Sequence, residues 1–574
     1  MSPAFELKPR LPSSFSGYVP HLPERDNSQV RFTYDEKRRR ALEEVDEAPF
    51  SVFHVKACLV AGVGFFTCAY DIFAIGIAET MIGLVYGGPE GKLDSNSELS
   101  LKVSTQVGIF FGQLIFGWLA DAVGRKKMYG FELMVVILGT LAQSCAGEAR
   151  SGETINIIAI LSVWRFVMGI GIGADYPLSS VITSEFSPKR FRGRMMTSVF
   201  AMQGFGNFAA ALVAFIVTQA LQTKIKGLSG DDTRLDSIDR SWRLLIGLGA
   251  VPGCIALYCR LTIPETPRFT MDVERNVQQA VQDVDTFLRT GTYSVDPDAV
   301  ILRGKAPKAS WADFKCHFGQ SQNFKLLFGM AYAWFALDIP FYTLGLNTPG
   351  MLKSLGFISK SCGEYRVDNS HNILRGVSTG NLILAAGGLI PGYWVTFCFI
   401  DSWGRKPIQI MGFAVLTILF IVIGAGWDSL HNAIDGYGGR VLVFLYCLAN
   451  FFQNFGPNTT TFIIPGEAFP TRYRATAHGI SAASGKLGAI VSQIVFSTLR
   501  GTVSAKSCND PDPFVKYLMY AFAFFTLTGA GATLLIEETK GRTLEDISNE
   551  DQDKFITGPG PLELGSHDAV DDTP

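Results

Sequence analysis

The chain has 574 residues, 48% hydrophobic and 18% charged, with 44 Phe and a net charge of −2. Its mean hydropathy is positive. That profile excludes an ordinary soluble enzyme and points to many membrane-spanning segments, and with no basic domain it excludes a nucleic-acid partner.

Residues 1–54 are polar and rich in Pro and Arg, without the apolar core and cleavage site of a secretory signal, and read as a disordered cytoplasmic tail. Apolar runs long enough to cross a bilayer follow at 56–85, 101–121, 128–148, 155–178, 195–221 and 242–262. A polar segment, 263–323, comes next; within it Arg275 to Leu288 has the amphipathic pattern of a surface helix. Six more runs stand at 324–347, 377–400, 408–427, 440–463, 475–499 and 515–536, and residues 538–574 form a second polar tail. The chain thus divides into an N-terminal bundle, 55–262, and a C-terminal bundle, 324–537, of six helices each: an all-α membrane protein of twelve transmembrane helices.

Basic residues in short loops set the orientation. Arg125, Lys126 and Lys127 follow helix 2; Lys189, Arg190, Arg192 and Arg194 follow helix 4. Arg405 and Lys406 follow helix 8; Arg472 and Arg474 follow helix 10. These loops, the central segment and both tails are expected on the cytoplasmic side.

Two motifs recur. Asp121-Ala-Val-Gly124-Arg125 matches Asp401-Ser-Trp-Gly404-Arg405, and Glu185-Phe-Ser-Pro188-Lys-Arg190-Phe-Arg192 matches Glu467-Ala-Phe-Pro470-Thr-Arg472-Tyr-Arg474. Both pairs lie about 280 residues apart, which argues for two parallel six-helix repeats with a binding site between them near the midplane. The same offset carries Tyr176 onto Asn458 and Gln203 to the neighbour of Lys486.

Ionisable residues inside apolar helices mark transport paths or buried pairs. Asp71 lies in helix 1, Glu132 in helix 3, Arg165 and Asp175 in helix 4, Asp338 in helix 7 and Lys486 in helix 11. A lysine in the Gly/Ala/Ser-rich run of helix 11 needs an anion or a carboxylate beside it. Trp334, Asp338 and Tyr342 recur every four residues and share one helical face, either as a ligand wall or as packing with Asp338 paired to Lys486.

Other signals are discounted. Gly169-Ile-Gly171-Ile-Gly173 lies within a membrane helix with no strand before it, so close helix packing explains it better than a dinucleotide site. The sequon Asn458-Thr-Thr460 falls inside helix 10. The Cys residues of apolar runs (Cys58, Cys68, Cys145, Cys254, Cys398, Cys447) read as buried thiols, without the spacing of a metal site. Cys362 and Cys508 fall in predicted outer loops, where a disulfide is open to them. No nucleophile–base arrangement suggests an enzyme, and no cofactor or metal is expected. Pro177 and Pro457, in corresponding helices, are expected to bend or break them near the site.

Gly173–Glu185 resembles the signature of the fungal and plant phosphate:proton symporters of the major facilitator superfamily, with Ala174 in place of the usual second Gly. Phe335-Ala-Leu-Asp338-Ile-Pro-Phe-Tyr342, Asn454-Phe-Gly-Pro457-Asn458-Thr-Thr-Thr-Phe and Gly485-Lys486-Leu487-Gly488 resemble its seventh, tenth and eleventh helices; the likeness covers about 45–545. The paired Asp/Gly/Arg loops are shared with sugar porters and indicate the superfamily rather than the substrate. The resemblance implies the major facilitator fold, a plasma-membrane location, and inorganic phosphate and protons as partners beside the lipid bilayer. It implies that Tyr176, Gln203, Trp334, Asp338, Tyr342, Asn458 and Lys486 bind phosphate. It also implies that Asp71, Glu132, Arg165, Asp175 and Asp338 handle protons, Arg165 modulating the carboxylates. Asp121, Gly124, Arg125, Asp401, Gly404 and Arg405 would gate the cytoplasmic side. At Cys68 the family carries an acid; a thiol is a far weaker one, and Asp71, one turn on, could substitute for it. An organic phosphate or a sugar as cargo, or a phosphate sensor that barely transports, are the alternatives.

Overall fold

The computed structural model of the chain describes residues 42–88, 91–148, 156–226, 231–261, 266–272, 309–355, 369–433, 437–502 and 513–548. Within them stand twelve long helical rods. The first six are α1 (Val52–Tyr86), α2 (Ser95–Val123), α3 (Arg125–Ser144), α4 (Ile157–Phe186), α5 (Arg192–Ala220) and α6, which is Asp231–Gly247 followed by Ala250–Leu261. The second six are α7 (Ser321–Leu346), α8 (Ser370–Leu384 and Ile390–Trp403 joined by a π-turn at Ala385–Leu389), α9 (Arg405–Asn432), α10 (Gly439–Asn454 and Pro457–Ala468), α11 (Arg474–Thr502) and α12 (Pro513–Thr533). Ten of these rods are long and apolar enough to cross a membrane by length and composition. The other two, α3 and α10, fall short for local reasons: α3 opens on the basic run Arg125-Lys126-Lys127, and α10 is interrupted.

The halves meet where α2 packs on α11 and α5 on α8. Within the N-terminal half, the Gly run of helix 4 is a packing surface. A β-carbon at Gly169 would lie 2.4 Å from the Thr105 carbonyl oxygen, and one at Gly173 would lie 2.3 Å from that of Ile109, so only glycine lets α2 and α4 come this close.

Two helices differ from the expected pattern. Pro177 lies inside α4 without breaking it, and the helix runs on to Phe186, past the expected end at 178, because its polar last turns are buried in protein. Pro457 does coincide with a break: α10 stops at Asn454 and restarts with Pro457 in its first turn, where the missing N–H costs nothing. The freed Asn454 carbonyl accepts from the hydroxyls of Thr396 (2.8 Å) and Thr459 (2.7 Å), which makes the break tolerable at membrane depth. The expectation of buried thiols fails at Cys145, Cys254 and Cys398, which are exposed on the outer surface of the bundle, where lipid solvates a small apolar side chain as well as protein does. Cys362, Cys508 and the stretch Arg275 to Leu288 lie outside the described residues.

Candidate functional site

The seven residues expected to hold a ligand converge at the centre, between the halves, and all are buried. Lys486 of α11 and Asp338 of α7 form an ion pair, Nζ to Oδ2 2.7 Å. The ammonium stands 4.4 Å from the centre of the Tyr342 ring and 5.2 Å from that of Tyr176, so it is held between aromatic faces from both halves. Gly485 makes room for this: a β-carbon there would lie 2.6 Å from Trp334 Cδ1 and 2.8 Å from Asp338 Oδ2.

A neutral chain of hydrogen bonds runs beside the pair. Gln203 Nε2 donates to the Tyr176 hydroxyl (2.8 Å), the Tyr393 hydroxyl donates to Gln203 Oε1 (2.9 Å), and Asn458 Nδ2 donates to the Tyr393 hydroxyl (2.8 Å) and to Asn454 Oδ1 (2.7 Å). Tyr393, in α8, was not among the expected residues, yet it joins Gln203 of one half to Asn458 of the other.

Aromatic layers close the centre on both sides. Phe73 stacks on Tyr342 (6.2 Å) and meets Phe341 edge-on (6.0 Å). On the other side Phe200 of α5 stacks on Phe462 of α10 at 4.4 Å, and Phe65 packs edge-on against Tyr176, Phe200 and Phe462. His478 sits against Trp334 and Phe462, its Nε2 3.2 Å from the Phe462 carbonyl oxygen.

The carboxylates expected to carry protons lie in three places, Asp338 being the partner of Lys486 in the central site. Asp71 accepts from Thr140 (2.8 Å), and Arg165 donates to the Leu101 carbonyl (2.8 Å) and to Gln143 (3.4 Å). Glu132 and Asp175 lie elsewhere, and their ion-pair partner is Arg260 of α6, not Arg165. The sequence offered little warning of this: a basic residue at the end of a membrane helix ordinarily reads as an interfacial anchor. Cys68 donates its S–H to Asp175 Oδ2 (3.6 Å).

The repeated motifs meet on one face, across the halves. Asp121 pairs with Arg125 (3.1 Å) and accepts from the backbone N–H groups of Ala475 (3.2 Å) and Thr476 (2.7 Å) and from the Thr476 hydroxyl (2.7 Å), capping α11 from the opposite half. Asp401 pairs with Arg405 (3.1 Å) and accepts from the N–H of Arg194 (3.0 Å), capping α5 in the same manner. Arg125 also donates to the Thr471 carbonyl (2.6 Å) and lies 3.6 Å from Glu185, which accepts from Arg474 (2.8 Å). Arg405 makes a two-pronged contact with Glu467 (2.8 and 3.2 Å). Gly124 and Gly404 have φ of 117° and 105°, the region that favours glycine, and the turns they make aim both motifs inward. Asp46, just before α1, accepts from Arg192 (2.8 Å) and Arg268 (3.1 Å), and Glu545, after α12, accepts from Arg268 (2.9 Å). Burial disfavours the charged Glu545 carboxylate, but the guanidinium beside it outweighs this and holds its pKa down at about 2. On the far face Lys102 contacts Glu79 (3.1 Å), Glu98 and Asn347 of the other half (2.9 Å). Both ends of the central site are therefore bridged.

Residues 57–340 and 374–550 match the family described as Sugar (and other) transporter. The chain is 47% identical over 531 residues, 90% of each chain, to the repressible high-affinity phosphate permease of Neurospora crassa. It is 44% identical to the inorganic phosphate transporter PHO84 of Saccharomyces cerevisiae, over 89% of this chain and 87% of that one. Among solved structures, the proton:xylose symporter XylE bound to 6-bromo-6-deoxy-D-glucose superposes with a TM-score of 0.64 at 18% identity, covering 86% of this chain and 98% of that one; at that identity the likeness concerns the fold.

Proposed function

Since the chain belongs to the Sugar (and other) transporter family, with fungal phosphate permeases among its relatives, we propose that it imports inorganic phosphate together with protons by alternating access. The observation that supports this most directly is the Lys486–Asp338 pair set among neutral donors at the junction of the halves. Dihydrogen phosphate offers both charge and O–H groups. Lys486 would supply positive charge and ammonium donors to its oxygens. Tyr176, Tyr342, Trp334, Gln203 and Asn458 would supply neutral hydrogen bonds. Asp338 would accept from a phosphate O–H, which sulfate at neutral pH lacks, so the same carboxylate would repel sulfate. A sugar needs no such charged pair.

In this reading the face that carries Asp121 and Asp401 is cytoplasmic and both tails lie there. The capping contacts of Asp121 on α11 and Asp401 on α5 then hold the cytoplasmic side shut, and inward opening breaks both. The plasma membrane is the proposed location, since import from outside requires it.

The test is uptake of labelled phosphate at several external pH values, in cells lacking their own phosphate transporters, with Asp338→Asn as control. Uptake that rises as pH falls, collapses with an uncoupler and disappears in the control is the expected result. Binding by purified protein without concentrative uptake would contradict the symport, and the absence of both would remove phosphate as the cargo.

A further inference from the structure

We propose that Arg260 is the shared counter-charge of a proton-carrying triad with Glu132 and Asp175; this rests on the symport reading above and names the residue that makes its proton step reversible. Arg260 reaches Glu132 Oε1 with Nη1 and lies 2.9 Å from Asp175 Oδ1 with Nη2. All three side chains are buried. Two carboxylates and one guanidinium leave one negative charge in a buried site, and an unpaired buried charge is costly. One proton removes it.

The structure also shows where that proton belongs. Glu132 Oε2 is buried and has no hydrogen-bond partner, whereas both oxygens of Asp175 are occupied, Oδ1 by the Ser179 hydroxyl (2.6 Å) and Oδ2 by the Cys68 thiol. The groups that face the triad are Cys68 and Asp71 from α1, Tyr129 from α3 and Ser179 from α4. Tyr129 lies flat under the guanidinium, 4.1 Å from ring centre to Cζ, and its hydroxyl can donate to Ser179 (3.1 Å), whose own proton goes to Asp175. Arg260 is the positive charge that contacts both acids. Arg165 contacts neither acid: it donates to the Leu101 carbonyl and to Gln143.

Two features tie the triad to transport rather than to helix packing alone. Asp175 adjoins Tyr176, whose hydroxyl is in the central site, so a change in the hold of Arg260 on Asp175 when Glu132 takes up or loses its proton is felt by the backbone of Tyr176. Gly64 of α1 leaves a gap through which the guanidinium passes: a β-carbon there would lie 1.5 Å from Arg260 Nη2 and 2.7 Å from Asp175 Oδ2.

The experiment uses the full chain in lipid vesicles and two modes: net phosphate uptake driven by an imposed pH gradient, and exchange of labelled for unlabelled phosphate at equal pH. Exchange needs no proton release; net uptake does. Arg260→Met leaves two carboxylates that hold their protons, so net uptake is expected to fall about tenfold or more while exchange falls much less. Arg260→Lys, which restores the charge without the fork, should recover part of the net uptake. Gly64→Ala, acting from another helix, should reproduce the split by displacing the guanidinium. An unchanged pH profile in Arg260→Met, or equal loss of both modes in Arg260→Met and Gly64→Ala with correctly folded protein, would overturn the proposal. A wild-type chain that moves no phosphate in either mode would instead refute the symport reading, and the triad with it.

Discussion

Removing Lys486 is expected to harm the protein more than removing Lys486 and Asp338 together. At the observed 2.7 Å, the pair attracts by about 6 kcal/mol at an effective dielectric constant of about 20. Taking each charge out of water costs several kcal/mol, so the intact pair adds little net stability. In Lys486→Met that attraction is gone but Asp338 stays fully enclosed, and the expected loss is about 3–5 kcal/mol unless the carboxylate takes up a proton. In Lys486→Met with Asp338→Asn no charge remains, and most of that loss should be recovered. Transport should behave differently: both single variants and the double variant lose the charged pair that phosphate needs, so none should accumulate phosphate. Thermal unfolding of the four purified proteins in one detergent, compared with their uptake in vesicles, checks both halves. A double variant as unstable as Lys486→Met would refute the electrostatic account; a double variant that still concentrates phosphate would refute the binding role of the pair.

Tyr393→Phe deletes the hydroxyl that joins Gln203 to Asn458 and leaves Gln203 Oε1 unpaired in a buried site. That loss is about 1–3 kcal/mol, and a KM for phosphate raised about 5- to 150-fold with normal protein levels is expected from uptake kinetics. Asp121→Ala removes the cap on α11 at a cost of about 1 kcal/mol, so the amides of Ala475 and Thr476 should exchange hydrogen several-fold faster; unchanged protection would contradict the latch. The Glu545–Arg268 contact is expected to survive mild acid. Its carboxylate is depressed from 4.5 to about 2, so the stability it contributes is complete above pH 4.5 and is lost only as the pH falls through about 2. Proteolysis of the C-terminal segment should therefore be no faster at pH 5 than at pH 7, and a marked increase would argue that the contact is weaker than the geometry indicates.

Much of this arrangement is legible in the amino-acid order. Asp338 and Lys486 are conspicuous because charge is costly inside apolar runs, and the repeat brings Tyr176 and Asn458 into correspondence before any coordinates are seen. Ser180 of α4 donates to the carbonyl of Phe462 in α10, 282 residues on, so the pseudo-equivalent positions touch. Tyr393 is harder to find. A tyrosine beside Trp394 in an aromatic helix resembles lipid-facing packing, and only its hydroxyl sets it apart. The motif offset of 280 carries it back onto Gln113 of α2, another buried polar side chain, which was the available signal. Arg260 is hidden for a different reason. Its place at the end of a helix predicts an anchor in the headgroups, and only the gap at Gly64, on a helix nearly two hundred residues earlier, allows it to turn into the bundle.

The way chemistry at the centre would reach the closed face follows from which residues share a helix. α4 carries Asp175 in the triad, Tyr176 in the central site, Ser180 against α10 and Glu185 in the cluster with Arg125 and Arg474. These positions span eleven residues of uninterrupted helix, a rise of about 15 Å. On the proposed triad, protonation of Glu132 changes the pull of Arg260 on Asp175, and a rotation or shift of α4 that follows would move Glu185 against its two arginines. α10 answers it with Asn458 in the central site and Glu467 on Arg405, but α10 has a break immediately before Asn458, so this segment can swing without moving the outer half of its helix. The asymmetry assigns different work to the two halves. On the proposed reading, the N-terminal half would carry the triad, with Asp175 on the uninterrupted α4, and the C-terminal half the ligand's counter-charge in α7 and α11, near the break in α10. On the proposed reading, opening the closed face would require both discharge of the triad and release of the Lys486–Asp338 site, because the Asp121 and Asp401 caps each bind a helix of the opposite half.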